Sequence, residues 1–462
     1  MKKNYCFLVA VLVLFVMNLQ AQTARSLYFI DNAPARLQLN PALQPMRGYI
    51  NVPVIGGFGA SVVSDPLSVE DFMDILDQEN EFLQNDKLFT RLKNKNNLNL
   101  FLNTDLLSLG FYSGKGFWTI NAGTKVFVNA SIPKTLFEFA RNSNDLSSII
   151  DEFLSNRNEA SFQQALKQLG TSYKISDFML SANVFAEIGV GYSRPVSDRL
   201  TLGGRMKVLV GVGNVDAHIE EININLDYPQ NIQNVDDFTW RVSSRGSMEV
   251  SMKGLELSKN EEEGYIDDLD FDSPGVGGFG ASVDLGLTYK LLNNLTISAG
   301  IIDCGFINWS KSATTLTKVK SNHEYNAGEE GTNIIDYDLI KLVPEDTEEG
   351  RTTSLEPTLN LGAEYTLLNK KFGIGVLYTN RFQKTESFSE LTLSANYHPV
   401  NWFSTTVSYS FLNSKGKTFG LGVKLGPIFL ASDYLITGDF ESINRANAYL
   451  GISLGLGKKR DK

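Results

Sequence analysis

Four groups of residues have types that do chemistry in other proteins. Residues 275–283, GVGGFGASV, set Gly275, Gly277 and Gly280 in the order G-x-G-x-x-G, the loop that brings a dinucleotide pyrophosphate onto a helix N-terminus. Just upstream, Glu261, Glu262, Glu263, Asp267, Asp268, Asp270 and Asp272 offer clustered oxygens of the kind hard cations take. His218, His323 and His398 are the imidazoles, and Cys6 and Cys304 are the thiols.

None of these groups meets the requirements of its chemistry. The dinucleotide loop needs a strand before it and a helix after it. Here the acidic run precedes it and would repel a pyrophosphate. After it Phe279, Ala281, Val283, Leu285, Leu287 and Tyr289 alternate with Gly280, Ser282, Asp284, Gly286, Thr288 and Lys290, the period of a strand. The acidic run lacks the D-x-[DN]-x-[DN]-G order, so a solvated face is the favoured reading, with a calcium or lipopolysaccharide bridge as the alternative. The histidines are scattered and no Ser–His–Asp set stands at recognisable spacing. The sequence therefore leads us to expect no catalytic residues, no metal and no cofactor.

The elements around these residues say more. Lys2 and Lys3 precede the apolar run YCFLVAVLVLFVMNLQA, which suits a secretory signal over residues 1–21. Cys6 falls inside it, leaving Cys304 without a disulfide partner. Without Lys2 and Lys3 the 42 basic residues become 40 against 52 acidic ones, a balance of 12 negative charges. Nucleic acid is thereby an unsuitable partner. No second apolar run is long enough for a spanning helix. An exported chain with 39 glycines and 11% aromatics fits a secreted sandwich or, better, an outer-membrane barrel.

A barrel wall needs segments of about ten residues with one apolar face. In LSANVFAEIGVGY, Leu180, Ala182, Val184, Ala186, Ile188, Val190 and Tyr192 share a face opposite Ser181, Asn183, Glu187, Gly189 and Gly191. In RLTLGGRMKVLVGVG, Leu202, Met206, Val208, Val210 and Val212 oppose Thr201, Gly203, Arg205 and Lys207. About fourteen such segments recur, the others near 50–64, 105–113, 116–130, 275–290, 295–309, 355–367, 371–381, 388–397, 401–412, 417–425, 428–437 and 444–456. Tight turns (SGKG, PVSD, LLNN, LNKK, HPVN, GP) alternate with longer connections, of which 65–104, 131–177, 214–274 and 310–354 are the longest. The expected fold is all-β: an antiparallel outer-membrane barrel over 49–462 with long extracellular loops. Aromatics near strand ends, Trp118, Tyr192, Trp309 and Trp402 among them, suit interfacial girdles.

Two loops have helical spacing, through Val69, Phe72, Met73 and Leu76, and through Leu146, Ile149, Ile150, Phe153 and Leu154, continued by Phe162, Ala165, Leu166 and Leu169. These stripes pack on each other as a cap, or form a groove for an apolar ligand. Residues 22–48 contain Pro34, Pro41 and Pro45 and no sustained period, so they read as a plug inside the barrel, with Leu27, Tyr28, Phe29, Ile30, Leu37 and Leu39 needing burial. Arg25, Arg36 and Arg47 are expected to pair with inward carboxylates such as Glu187, Asp284 and Glu364. Across the PVSD turn, Glu187 is expected opposite Arg205 or Lys207. The lumen-lining set is thus Asn183, Glu187, Arg205, Lys207, Asp284 and Glu364.

The phrase Asn40-Pro41-Ala42, between the signal and a glycine-rich strand, resembles the N-terminal plug of the long-chain fatty-acid transporter family, in which Leu43 would be glycine. The whole chain is similar to the family called domain of unknown function 5723. The resemblance implies fourteen strands around an N-terminal hatch, with Arg36 and Asn40-Pro41-Ala42 in the plug and a hydrophobic small molecule as ligand. A similar barrel is the shuttle subunit of a protein secretion system, which would make envelope or secreted proteins the partners of the helical loops. Either barrel would have outer-membrane lipid and lipopolysaccharide as neighbours.

Overall fold

The computed structural model describes residues 25–457 except 32, 53–55, 69–70, 72–85, 157–161, 163, 165–171, 228–236, 238, 261–263, 327–339, 346–349, 386, 413–415 and 435–443. The signal over 1–21, the spacing of Val69, Phe72, Met73 and Leu76, and residues Ala165, Leu166, Leu169 and Glu261–Glu263 lie outside the described residues.

Period-two patterning builds the wall. Strands β1 (Gly48–Asn51) and β2 (Phe58–Ser64) lie end to end against β3 (Lys95–Ser113), which pairs with β4 (Gly116–Pro133), then β5 (Ser172–Pro195), then β6 (Leu200–Asp227). Strands β7 (Thr239–Lys259) and β8 (Ile266–Gly275) leave the wall, and β9 (Gly278–Leu292) rejoins it on the first half of β6. Next comes β10 (Leu295–Trp309), and after β11 (Thr314–Asn326) and β12 (Leu342–Glu345) the wall resumes with β13 (Arg351–Ser354) and β14 (Thr358–Leu367), end to end on β10. A meander of β15 (Phe372–Arg381), β16 (Phe388–Val400), β17 (Phe403–Leu412), β18 (Gly416–Leu425), β19 (Ile428–Ser432) and β20 (Arg445–Leu456) follows. Pairing of β20 with β1 and β2 closes the ring. With each end-to-end pair counted once, the wall has fourteen antiparallel strands. Closure leaves no edge with unpaired backbone groups, the condition for a sheet that meets hydrocarbon.

The two faces have opposite chemistry. Met206, Val208, Phe279, Leu285 and Ile188 stand exposed on the outside, while Arg205, Lys207, Asp284, Asn183 and Glu187 are buried inside. Bulges interrupt this alternation, among them those at Leu106 in β3, at Val212 in β6 and at Ile302–Asp303 in β10. Because side chains alternate strictly along a strand, an odd residue inserted on one strand inverts the faces beyond it. Past Val212, Val215 and Ala217 share the outer face, while Asn214 and Asp216 point inward to Asn183 and Ser181. The bulge in β10 turns Trp309 inward: its indole N–H donates to Thr353 Oγ1 at 2.8 Å, so Trp309 leaves the girdle expected for it.

The segments read as the longest loops carry much strand: 95–104, 172–177, 214–227, 239–259, 266–275, 314–326, 342–345 and 351–354. Strands β3 to β6 run on past the wall and join β7, β11 and β12 in a sheet extension. Leu98, Leu100, Val128, Ala130, Leu180, Ala182, Val215, Ala217, Met248 and Val250 form a buried apolar row across it. Helix α1 (Asp86–Arg91) buries Leu88. Helix α2 (Lys134–Asn156) contains the second helical stripe, and its Phe139 and Phe153, with Phe162, pack on Ile219, Ile222, Trp240 and Val242 of the extension. Of the acidic run, residues 267–272 follow the backbone of β8, which pairs with β7.

Candidate functional site

Residues 25–47 cross the barrel interior as two short 3-10 turns, Arg25–Leu27 and Pro34–Gln38, linked by irregular chain. Pro34 opens the second turn, where a missing N–H costs nothing. The wall yields to this segment through glycine. A Cβ at Gly203 would stand 2.6 Å from the Pro41 carbonyl, and one at Gly286 would stand 2.1 Å from Asn40 Oδ1. Inward glycine therefore serves close approach of a second backbone.

Asn40 fixes the centre of the segment. Its Nδ2 donates to the carbonyls of Ala299 (3.0 Å) and Leu287 (3.3 Å), on β10 and β9, and its Oδ1 accepts the Ala42 N–H at 2.9 Å. From β14, Asn360 Nδ2 donates to the Leu39 carbonyl at 3.0 Å, and from β6, Arg205 Nη2 donates to that of Leu37 at 2.7 Å. Pro41 and Ala42 sit against Gly203 and Gly286. Toward the long-loop end, Asp433 accepts the backbone N–H groups of Arg25 and Ser26 at 2.9 and 2.8 Å. The Arg25 guanidinium meets Glu390 at 2.9 Å and Asp433 at 3.5 Å, and donates to Tyr434 Oη. Arg36 pairs with Asp31. Arg47 lies beside Gly455 at the short-turn end.

The arginines of the segment thus avoid Glu187, Asp284 and Glu364. The reason is that wall cations reach two of those carboxylates first. Lys125 meets Asp303 at 2.8 Å and Glu187 at 3.1 Å, Lys207 meets Asp284 at 2.7 Å and Glu187 at 3.7 Å, and Arg205 lies 3.6 Å from Asp284. Lys207 also bonds Asp303. Five strands contribute, β4, β5, β6, β9 and β10, and the three cations balance Glu187, Asp284 and Asp303. Such matching is what permits buried charge. Glu364 stands apart, accepting from Asn396 Nδ2 at 3.0 Å. Asn183 accepts from Asn214 Nδ2 at 2.7 Å, also outside the network. Glu187 does not face Arg205 or Lys207 directly. Its opposite residue is Leu209, and Lys207 is the diagonal neighbour. The ladder runs on to Pro195 opposite Thr201, which shifts the register by two residues from the expected Lys207 pairing.

Lys125, Asp303, Arg381 and Glu356 complete the site without having been singled out in the sequence. Asp303 adopts φ 61, and its N–H donates to Asp284 Oδ1 at 2.8 Å. The left-handed conformation, which Asp tolerates better than most residues, aims its carboxylate inward. The adjacent apolar pair Ile301–Ile302, a break in strict alternation, was the available signal. Above the network lies an apolar layer inside the barrel, formed by Phe127, Phe185, Leu209, Ile307, Trp309 and Leu355 with Phe101 against it. Arg381 stacks over Phe127 at 3.8 Å and pairs with Glu356 at 3.3 Å. The connection after β15 closes over this layer, with Gln383 donating to Asn129 Oδ1 and Lys384 Nζ to Asp216 Oδ2. A cavity of about 40 Å3 remains between Leu39, Phe101, Phe127, Ile302 and the charged network. Geometrically, then, an apolar layer and a neutralised ionic layer are stacked on the backbone segment 25–47.

No curated protein sequence matches the chain. Solved barrels similar to it at low identity include the P. putida toluene transporter TodX (10% identity, 92% of this chain and 94% of that one, TM-score 0.40). They also include the translocator domain of the autotransporter NalP from Neisseria meningitidis (6%, 89% and 90%, 0.34) and a Pseudomonas aeruginosa FadL homologue (10%, 94% and 97%, 0.25). Residues 41–433, most of the barrel and the Pro41-Ala42 end of the interior segment, match the profile of a family of unknown function, DUF5723, and the chain belongs to that family.

Proposed function

We propose that the protein is an outer-membrane channel or transporter that admits a hydrophobic small molecule, with residues 25–47 as its gate. The observation that carries this reading is the apolar layer of Phe127, Phe185, Leu209, Ile307 and Trp309 inside the barrel. A water-filled pore has a polar interior, whereas here a band of aromatic and aliphatic side chains faces the lumen. A layer of this composition selects apolar groups by desolvation. In this reading the signal over 1–21 directs export, the short turns face the periplasm, and the sheet extension stands outside the cell.

The test is flux of an apolar fluorescent aromatic hydrocarbon into vesicles carrying the intact protein. Phe127→Asp and Leu209→Asp should slow entry at least tenfold while the barrel stays assembled and heat-modifiable. Unchanged flux in both variants would remove the layer from the path. Export proteins that copurify in stoichiometric amount with a barrel that passes no hydrocarbon would replace transport by a shuttle role.

A further inference from the structure

The short-turn end of the barrel is rich in basic side chains and poor in carboxylates. The short turns lie at 114–115, 196–199, 293–294, 368–371, 401–402 and 426–427. In or beside them stand Lys115, Arg194, Arg199, Lys290, Lys370 and Lys371, all exposed. Asp198 is the one carboxylate in those turns among the described residues. Arg199 and Lys290 are brought side by side, since the Lys290 N–H donates to the Arg199 carbonyl at 2.8 Å.

At the opposite end several cations are matched, Arg241 with Asp227 and Glu324, Arg245 with Glu220, Lys174 with Glu221 and Lys318 with Glu345, while Lys253, Lys259 and Lys320 there stand exposed outside any ion pair among the described residues. None of the six short-turn cations forms an ion pair among the described residues. In a chain with net charge −10, an unmatched basic rim at one end is a recognition surface for anions.

Its setting identifies the anion. Trp118, Tyr192, Tyr365, Tyr397 and Trp402 form an exposed aromatic belt close to the same turns, with Trp118 and Tyr192 in contact at 4.6 Å. Aromatic belts of this kind sit at headgroup depth. Long basic side chains just beyond such a belt reach lipid phosphates while their stems stay on apolar surface. The cations lie on four consecutive hairpins, β3–β4, β5–β6, β9–β10 and β14–β15, an arc of eight of the fourteen wall strands directly beside the exposed aromatic side chains, so they point to the lipid that borders this side of the wall.

We propose that this rim binds the phosphates of anionic phospholipids in the leaflet at the short-turn end, and so fixes the depth of the barrel there. The inference rests on the outer-membrane placement proposed above, and lipid retention is read independently of flux. Full-length processed protein is refolded into phosphatidylcholine vesicles containing phosphatidylglycerol, extracted into a nonionic detergent, and examined by native mass spectrometry for bound lipid. Retained phosphatidylglycerol should exceed phosphatidylcholine severalfold and should fall with added salt, each basic residue contributing roughly fivefold to lipid affinity. The combined variant K115Q, R194Q, R199Q, K290Q, K370Q, K371Q should lose at least tenfold of that preference. K174Q, R241Q, R245Q at the other end should keep it. If the combined variant fails to assemble, the K370Q, K371Q pair and the salt titration of the unaltered protein decide. Inorganic phosphate at matched concentration should not displace the lipid. Equal retention by rim and control variants, displacement by free phosphate, or capture of an acidic protein in place of lipid would each overturn the proposal. Loss of hydrocarbon flux with phosphatidylglycerol retention intact would sink the transport reading alone.

Discussion

Lys125 and Asp303 lie 178 residues apart in the chain and meet inside the barrel, Nζ to Oδ1 at 2.8 Å, where a bulge turns the aspartate inward. Around this contact the lumenal charges of β4, β5, β6, β9 and β10 are balanced.

Removing one partner should therefore cost far more than removing both. Asp303→Asn leaves Lys125 and Lys207 short of a counter-charge in a buried site and should destabilise the barrel by about 3 to 5 kcal/mol. Lys125→Met combined with Asp303→Asn should recover most of that loss. A double-mutant cycle in urea, read by heat-modifiable mobility, measures the coupling. Additive losses would mean that the two side chains do not interact.

Gly203 and Gly204 are neighbours on β6 with opposite fates. A Cβ at Gly203 would strike Pro41 and Ala42 at 2.6 Å, whereas one at Gly204 meets only Asp284 O and a Leu285 methyl at 3.7 Å. Gly203→Val should dislodge the Asn40-Pro41-Ala42 crossing and make residues 25–47 accessible to thermolysin in an assembled barrel. Gly204→Ala should leave them protected. Equal protection of both variants would show that the segment does not lean on this wall.

The outer face should be intolerant of charge. Val208 is 57% exposed on the wall and Val196 is 62% exposed in the β5–β6 turn. Val208→Arg should cost about 2 to 4 kcal/mol of assembly free energy if it lies near midplane, while Val196→Arg should cost little. Folding yield into vesicles compares them, and equal yields would reverse the face assignment.

What was legible in the sequence follows from physics of period two. Segments such as Leu180–Tyr192 must keep one face apolar along their length, so wall strands and tight turns can be read directly. The irregular course of residues 25–47 was legible for the opposite reason, since Pro34, Pro41 and Pro45 forbid a ladder. Strand β7 was harder: Trp240, Val242, Met248 and Val250 alternate with polar residues, but Ser244 and Gly246 interrupt the apolar face, and its apolar side meets helix α2 and the sheet extension instead of hydrocarbon. The bulges at Val212 and at Ile302–Asp303 each insert one residue and invert the faces beyond it. The β10 bulge moved Trp309 inside and brought Asp303 to Lys125, two placements that strict alternation along the chain argues against.

The most direct test of a gate formed by residues 25–47 is single-channel recording in planar bilayers, with apolar fluorophore flux followed in parallel vesicles. The protein lacking residues 25–46 should assemble into a heat-modifiable barrel, conduct ions steadily and pass the fluorophore faster, while the intact protein stays nearly closed to ions. Identical low conductance and identical flux in both forms would contradict the account, because the wall, the ionic layer or the loops would then block the lumen without help from the segment.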